Sequence, residues 1–135
     1  MPSVLFVCVA NSFRSQIAEA VARSLGGDRW EVWSAGSRPG GQIHPLAVQL
    51  LAEVGLDTAG QRSKGLDELP AKRWDYVVTM GCGEACPAVP ARHRLDWDLP
   101  DPAALPMAEA RRARERIIEL VRGLLGRPEA AVPDA

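Results

Sequence analysis

The sequence has no excess of charge of either sign and no long hydrophobic run. Its net charge is −1 at pH 7 and its isoelectric point is near 6.1. General nucleic-acid binders are usually clearly basic, so we expect no nucleic-acid partner. No apolar run approaches the length of a membrane span, and no basic segment precedes the apolar residues near the N-terminus. We therefore expect no membrane partner, no signal peptide and a cytoplasmic location.

Internal repeats, low-complexity tracts and linker-like segments are also missing from the sequence. The 135 residues match the size of one ordinary domain, and 47% of them are hydrophobic, which is enough for a buried core. We expect a single domain over residues 1–126, a flexible C-terminal tail over residues 127–135, and a monomer.

Strand-like and helix-like patterns alternate along the chain. Short apolar runs predict buried strands at 3–7, 30–35 and 76–80, and a weaker pattern predicts a fourth at 93–97. Apolar residues at helical spacing predict helices at 15–25, 46–54 and 107–125, with a short one at 67–69. This order predicts an α/β fold in which a four-stranded parallel sheet is flanked by helices on both faces.

Three segments that follow predicted strands carry the residues capable of chemistry. They are CVANSFRS at 8–15, TMGCG at 79–83 and DLPDPAA at 98–104. Because parallel sheets bind ligands at the carboxyl ends of their strands, we expect these segments to meet at one edge of the sheet. The sequence therefore predicts a single site there.

The segment between the first strand and the first helix has the features of an anion site. Its backbone N–H groups lie at a helix N-terminus, where the helix dipole favours negative charge. Arg14 adds a planar fork that suits a tetrahedral oxyanion, and the positive surroundings favour Cys8 as a nucleophilic thiolate. Ser15 can cap the helix and donate to the sulfur, while Asn11 tolerates a left-handed conformation. The predicted oxyanion-binding loop comprises Val9, Ala10, Asn11, Ser12, Phe13 and Arg14.

The chain has three cysteines, namely Cys8, Cys82 and Cys86. An odd number without a secretion signal indicates a reducing compartment and favours catalytic, metal-binding or redox roles. Three residues separate Cys82 from Cys86, so in a helix they would lie one turn apart, at roughly 6 Å, within reach of a disulfide. A zinc site needs more ligands, and neither histidine lies at a ligand spacing, so we expect no metal.

The segment VLFVCVANSFRSQIAEA at 4–20 resembles the phosphate loop of low-molecular-weight protein tyrosine phosphatases. It resembles even more closely the arsenate reductases of the same fold, whose loop reads roughly C-x-x-N-S-x-R-S-Q-x-A-E. The resemblance covers nearly the whole chain and includes SAGS at 34–37, VTMGCGEACP at 78–87 and DLPDPAA at 98–104. It implies the low-molecular-weight phosphatase fold, reduction of arsenate to arsenite, and no cofactor.

The resemblance to thioredoxin-coupled arsenate reductases also implies a relay through the three cysteines. Cys8 forms a thio-arsenate, Cys82 attacks the Cys8 sulfur to release arsenite, and Cys86 then attacks Cys82 to leave a disulfide for thioredoxin to reduce. Bacillithiol, mycothiol or glutaredoxin could replace thioredoxin. Phosphate and sulfate are expected as competing anions.

The general acid is expected in the loop DLPDPAA. Asp101 matches the position of the family's acid, while Asp96 and Asp98 are nearby rivals. Tyrosine phosphatases of this fold carry aromatic residues just after this acid, where the present chain has Ala103 and Ala104. The whole sequence contains only four Trp, two Phe and one Tyr, so it offers few aromatic side chains to line a phosphotyrosine pocket. A phosphatase nevertheless remains the alternative enzyme, and a non-catalytic oxyanion or redox sensor is a third possibility.

Support for the loop is expected from Asn11, Glu19, Ser34 and Lys64. Relatives that bind potassium near the loop use residues that correspond to the first three and to an aspartate at the position of Lys64. A lysine ammonium there would replace the ion, so we expect no potassium dependence. His44 and His93 are expected to be structural or surface residues.

Overall fold

The computed structural model describes residues 1–81, 89–99 and 105–127. Within these ranges it contains one sheet of four parallel strands in the order β2-β1-β3-β4. The strands are β1 (Ser3–Cys8), β2 (Glu31–Gly36), β3 (Trp74–Thr79) and β4 (Ala91–Asp96). The predicted α/β fold with a four-stranded parallel sheet is thus confirmed, although β4 begins two residues earlier than the weak pattern indicated.

Three α-helices and two 3-10 helices accompany the strands in the described ranges, and the last α-helix follows β4. They are α1 (Arg14–Gly26), α2 (Pro45–Ala52) and α3 (Met107–Leu125), with the 3-10 helices at Gly27–Arg29 and Leu66–Glu68. Proline at the first helical position of α2 has the fixed backbone angle that a helix start requires. His44 caps this helix, because its Nδ1 accepts a hydrogen bond of 3.0 Å from the backbone N–H of Leu46.

The core has two parts, one on each face of the sheet. Alternate β1 residues such as Val4 and Phe6 pack with the buried faces of α1, α2 and α3 in the larger cluster. Leu5 and Val7 point to the other face, where they pack with Trp74 and the 3-10 helix that begins at Leu66. Both faces are therefore covered by helical elements, as predicted, but in the described ranges the three α-helices share one face.

The strand order brings the ends of β1, β2 and β3 together. Cys8 pairs with Gly36 at the end of β2, and the backbone N–H of Met80 donates to the carbonyl of Val7. The loop that leaves β1 therefore lies between the segments that leave β2 and β3. Within the described ranges, none of the helices has the length and apolar character needed to cross a membrane.

Candidate active site

The loop between β1 and α1 is held from outside through its carbonyl groups. The Val9 carbonyl accepts from the N–H of Arg38 at 2.8 Å, and the Ala10 carbonyl accepts from the N–H of Gly40 at 3.0 Å and from Ser63 Oγ at 3.0 Å. In a trans peptide the N–H points away from the C=O of the same unit. The N–H groups of Ala10 and Asn11 therefore point away from those partners, which agrees with the arrangement expected of an anion-binding loop.

Gly36 lets the loop pack tightly on the end of β2. A Cβ at this position would lie 2.5 Å from the Val9 carbonyl oxygen and 2.9 Å from the Asn11 nitrogen. Both are backbone atoms, so a side chain at 36 could be accommodated only by moving the loop itself. Asn11 has φ of 49° and is the non-glycine residue with positive φ in the described ranges, as its place in a tight loop predicted.

The orientation of the Asn11 side chain is fixed by its partners. Its Oδ1 accepts from the backbone N–H of Lys64 at 2.9 Å, and a backbone N–H can only donate. Oδ1 also accepts from Gln16 Nε2 at 3.1 Å. The amide nitrogen of Asn11 must therefore be the atom that faces Ser15 and Ser34.

The Asn11 amide nitrogen links Ser15 and Ser34, and Ser15 in turn meets the Cys8 sulfur. Asn11 Nδ2 donates to Ser15 Oγ at 2.8 Å and to Ser34 Oγ at 2.9 Å. Ser15 Oγ also lies 2.8 Å from Cys8 Sγ. A thiolate sulfur can only accept, so in the thiolate form of Cys8 the Ser15 hydroxyl donates to it, and such a donor stabilises the thiolate. Cys8, Asn11, Ser15 and Ser34 are all buried, so water competes little for these bonds.

A buried ion pair continues the network beyond Ser34. Ser34 Oγ donates to Glu19 Oε1 at 2.5 Å, and Lys64 Nζ lies 3.8 Å from the same oxygen. Arg23 contacts the other carboxylate oxygen at 2.7 Å, although its side chain is half exposed. Burial lowers the pKa of Lys64, and the nearby Glu19 carboxylate opposes that shift. An ammonium group is thus linked through Glu19, Ser34, Asn11 and Ser15 to the Cys8 sulfur.

Arg14 begins helix α1 and reaches across the carboxyl edge of the sheet. Its Nη1 donates to the carbonyl oxygen of Leu99 at 3.0 Å. The guanidinium therefore connects the oxyanion-binding loop to the segment that follows β4. The side chain is half-buried, and one contact of this kind leaves other N–H groups of the fork for an anion.

The structure brings together most of the residues that the sequence singled out. Cys8, the loop 9–14 and Ser15 form one group at the end of β1, and Asn11, Glu19, Ser34 and Lys64 lie in one connected network. Cys82, Cys86 and Asp101, and the predicted tail apart from residue 127, lie outside the described residues. Of the rival acids, Asp96 is exposed and accepts a 2.7 Å hydrogen bond from Thr79 Oγ1.

Two supporting residues were missed by the sequence reasoning. Gln16 is fully buried on α1 and donates to both the carbonyl and the side chain of Asn11, and Ser63 binds the Ala10 carbonyl. Helical spacing places Gln16 opposite the apolar residues of α1, so the available signal for it was its place in the loop pattern C-x-x-N-S-x-R-S-Q-x-A-E. Ser63 gave no signal, because its contact spans 53 residues of chain.

His44 has a structural role, as expected, and it packs against Phe13. The rings of Phe13 and His44 lie 5.0 Å apart, and the N–H of His44 donates to the Ser12 carbonyl. His93 stacks on Tyr76 with ring centroids 4.9 Å apart. Among the residues described, no three His, Cys, Asp or Glu side chains are placed to hold a metal ion.

Known proteins share this combination of fold and loop. The sequence pattern of the family described as low molecular weight phosphotyrosine protein phosphatase matches residues 3–133. The chain therefore belongs to this family.

Within the family, the chain is similar to arsenate reductases. It is 38% identical over 124 residues to an arsenate reductase of Bacillus cereus strain Q1, covering 89% of this chain and 91% of the relative. A solved arsenate reductase in a phosphate-binding state is 34% identical with a TM-score of 0.82, covering 93% of this chain and 97% of that one. The thioredoxin-dependent arsenate reductase Cg_ArsC1' of Corynebacterium glutamicum is 38% identical with a TM-score of 0.75, covering 92% and 60% respectively.

Proposed function

We propose that this chain is an arsenate reductase that uses Cys8 as its nucleophile. The observation that carries the proposal is the position of the Cys8 sulfur, 2.8 Å from Ser15 Oγ at the start of a loop whose Val9 and Ala10 carbonyls are bonded from outside. A thiolate beside a bound oxyanion can attack its central atom. The similarity to arsenate reductases over most of the chain favours arsenate as that oxyanion.

In the first step of the proposed reaction, the Cys8 thiolate bonds to arsenic and a hydroxide leaves. Asp101 supplies the proton that turns this leaving group into water. Arg14 and the loop N–H groups hold the remaining oxygens, as charge-assisted donors do for tetrahedral anions. Lys64 and Glu19 support the loop from behind through Ser34 and Asn11.

The second step is the reduction, which needs two electrons. The Cys82 thiolate attacks the Cys8 sulfur, so that a Cys8–Cys82 disulfide forms and the electron pair of the sulfur–arsenic bond leaves with arsenic as arsenite. Cys86 then attacks Cys82 and frees Cys8, and the Cys82–Cys86 disulfide is reduced by an external thiol system. Thioredoxin is the proposed reductant, supported by the thioredoxin-dependent relative from Corynebacterium glutamicum.

A phosphatase is the second candidate function. The same loop would bind phosphate, which has the shape and charge of arsenate, and the family itself is described by phosphotyrosine phosphatase activity. Hydrolysis of an aryl phosphate requires Cys8, Arg14 and an acid but neither Cys82 nor Cys86. A redox or oxyanion sensor, by contrast, would form the Cys82–Cys86 disulfide without turnover.

A coupled assay with thioredoxin, thioredoxin reductase and NADPH tests the proposal. Arsenate is added to the wild type and to the variants Cys8→Ser, Cys82→Ser and Cys86→Ser. We expect turnover by the wild type alone and accumulation of a Cys8–Cys82 disulfide in Cys86→Ser, measured by mass spectrometry of peptides. Replacing thioredoxin with glutaredoxin, mycothiol or bacillithiol systems identifies the reductant.

The same variants separate the alternatives. Hydrolysis of p-nitrophenyl phosphate that needs Cys8 but neither of the other cysteines, without arsenate turnover, would establish the phosphatase. For the acid, Asp101→Asn is compared with Asp98→Asn. Only the first should slow the arsenate reaction, since the second aspartate is assigned no proton transfer.

A further inference from the structure

Gly81 lies directly against the guanidinium group of Arg14. A Cβ built on Gly81 would lie 2.4 Å from Arg14 Nη1 and 3.2 Å from the carbonyl oxygen of Leu99. These are the two atoms that form the 3.0 Å hydrogen bond between Arg14 and Leu99. A side chain at position 81 would therefore occupy the space next to this hydrogen bond.

The backbone conformation alone does not account for this position. Gly81 has φ of +75°, which glycine adopts without strain. Gly60 has nearly the same angle, +81°, but nothing lies within 4 Å of its Cβ position. Of these two glycines, only Gly81 leaves space, by its missing side chain, for a neighbouring group, the Arg14 guanidinium. The two glycines therefore form a matched pair that separates backbone strain from contact with Arg14.

Displacement of the Arg14 guanidinium would weaken anion binding more than it would lower the stability of the fold. Nη1 is the far end of a long side chain, so the guanidinium can swing away from an added methyl group at little cost in stability. The same fork has to hold an oxyanion with the N–H groups that Leu99 does not use. Bidentate contact with an oxyanion requires a fixed position and plane of the fork.

We propose that Gly81 is a positioning residue for oxyanion recognition: its missing side chain gives the Arg14 fork the place from which it holds the Leu99 carbonyl and the anion together. This inference rests on the oxyanion site proposed above. It adds a residue from the segment after β3 to the residues already assigned to the site. Gly81 acts through Arg14 and makes no contact of its own with the anion.

Inorganic phosphate is the probe, and binding is measured by calorimetric titration at constant ionic strength. The proteins compared are the wild type, Gly81→Ala and Gly60→Ala. We expect Gly81→Ala to bind phosphate about tenfold or more weakly, the loss that follows when charge-assisted contacts are misplaced. Gly60→Ala should bind phosphate as the wild type does. Both variants should lose similar unfolding stability, because both introduce a side chain at positive φ.

Equal phosphate affinity in Gly81→Ala and Gly60→Ala would overturn the proposal, whether both match the wild type or both are weakened. If Gly81→Ala does not fold, Gly81→Asn and Gly60→Asn replace the pair, because Asn tolerates positive φ while still placing a Cβ beside Arg14. A wild type that binds no phosphate would remove the oxyanion site itself and this inference with it. A wild type that binds phosphate but does not reduce arsenate would leave Gly81 testable and refute only the proposed reaction.

Discussion

Replacing Lys64 with methionine tests whether a tethered ammonium group supports the oxyanion-binding loop. Methionine keeps much of the length and volume of lysine and removes the charge. In the folded protein Lys64 is 6% exposed and Glu19 is fully buried, so the substitution leaves a carboxylate in the interior without its buried cation. The hydrogen bonds that link Glu19 through Ser34 to Asn11 would then support the loop less firmly.

The expected loss of unfolding free energy follows from the contacts of Glu19. Removal of one partner of a buried ion pair costs about 3–5 kcal/mol when nothing compensates. Glu19 keeps Arg23 at 2.7 Å and the Ser34 hydroxyl at 2.5 Å, and the Lys64 Nζ lies 3.8 Å away rather than in close contact. Methionine also avoids the burial of a charge. We therefore expect a loss of about 1–3 kcal/mol, or about 3–10 °C in Tm.

Urea denaturation with potassium, sodium or tetramethylammonium chloride at equal ionic strength measures this effect. Potassium should restore part of the lost stability of Lys64→Met and leave the wild type unchanged, because the wild type carries its own cation. Arg116→Met is the control: its pair with Glu119 spans 3.0 Å, both side chains are more than half exposed, and such pairs contribute at most about 0.5 kcal/mol. Unchanged stability in Lys64→Met, or a specific effect of potassium on the wild type, would refute the reasoning.

The pH dependence of the same comparison has a definite sign. The pKa of Lys64 is lowered from 10.5 in the folded protein, first by burial and against the influence of Glu19. Between the lowered value and 10.5 the unfolded chain binds more protons than the folded one, so this group adds stability as pH rises. At pH values below the lowered pKa, Lys64 is protonated in both the folded and the unfolded chain, so its effect on the free energy of unfolding does not change with pH. The stability of the wild type relative to Lys64→Met should therefore increase from neutral to alkaline pH.

Three further predictions concern the loop and the helix contacts. Ser15→Ala should lower kcat/KM for arsenate about 10–100-fold, because the donor to the sulfur is lost, and should cost about 1–3 kcal/mol of unfolding free energy, because the buried Asn11 amide loses an acceptor; unchanged kinetics would contradict the assigned bond. Gly36→Ala should destabilise the protein by about 1–3 kcal/mol, because the added methyl group would collide with backbone atoms of the loop. Gly123→Ala in α3 is the control: its Cβ would meet open space, so thermal unfolding should show no change or a higher stability. The pKa of Glu53 is lowered to about 2, and the largest cause is its hydrogen bond with Arg111. The stabilisation that Glu53 contributes is therefore lost as pH falls from about 4.5 towards 2. Glu53→Gln should flatten that part of the acid denaturation profile.

Features that depend on neighbours in the sequence were predicted well. The strand β1 and helix α1 could be predicted because burial of one face imposes a local hydrophobic period. The place of the loop between β1 and α1 followed from the order of strand, Cys8, Arg14 and helix, and its anion binding stays a prediction that rests on the N–H groups of a helix N-terminus. The four-stranded parallel sheet followed from the alternation of elements.

Features that depend on distant pairs were decided only by the tertiary structure. The sharing of one sheet face by three α-helices depends on how the whole sheet packs. The contacts of Ser63 with Ala10 and of Gly81 with Arg14 join residues that lie 53 residues or more apart. Local periodicity shows that a residue is buried, but it does not show which polar atom will meet it. The sequence by itself therefore determined the secondary-structure elements and singled out Cys8 as the candidate nucleophile. Packing of the sheet decided how Arg14 and Lys64 are held, because their contacts exist only once β1 and the segments after β2, β3 and β4 have come together.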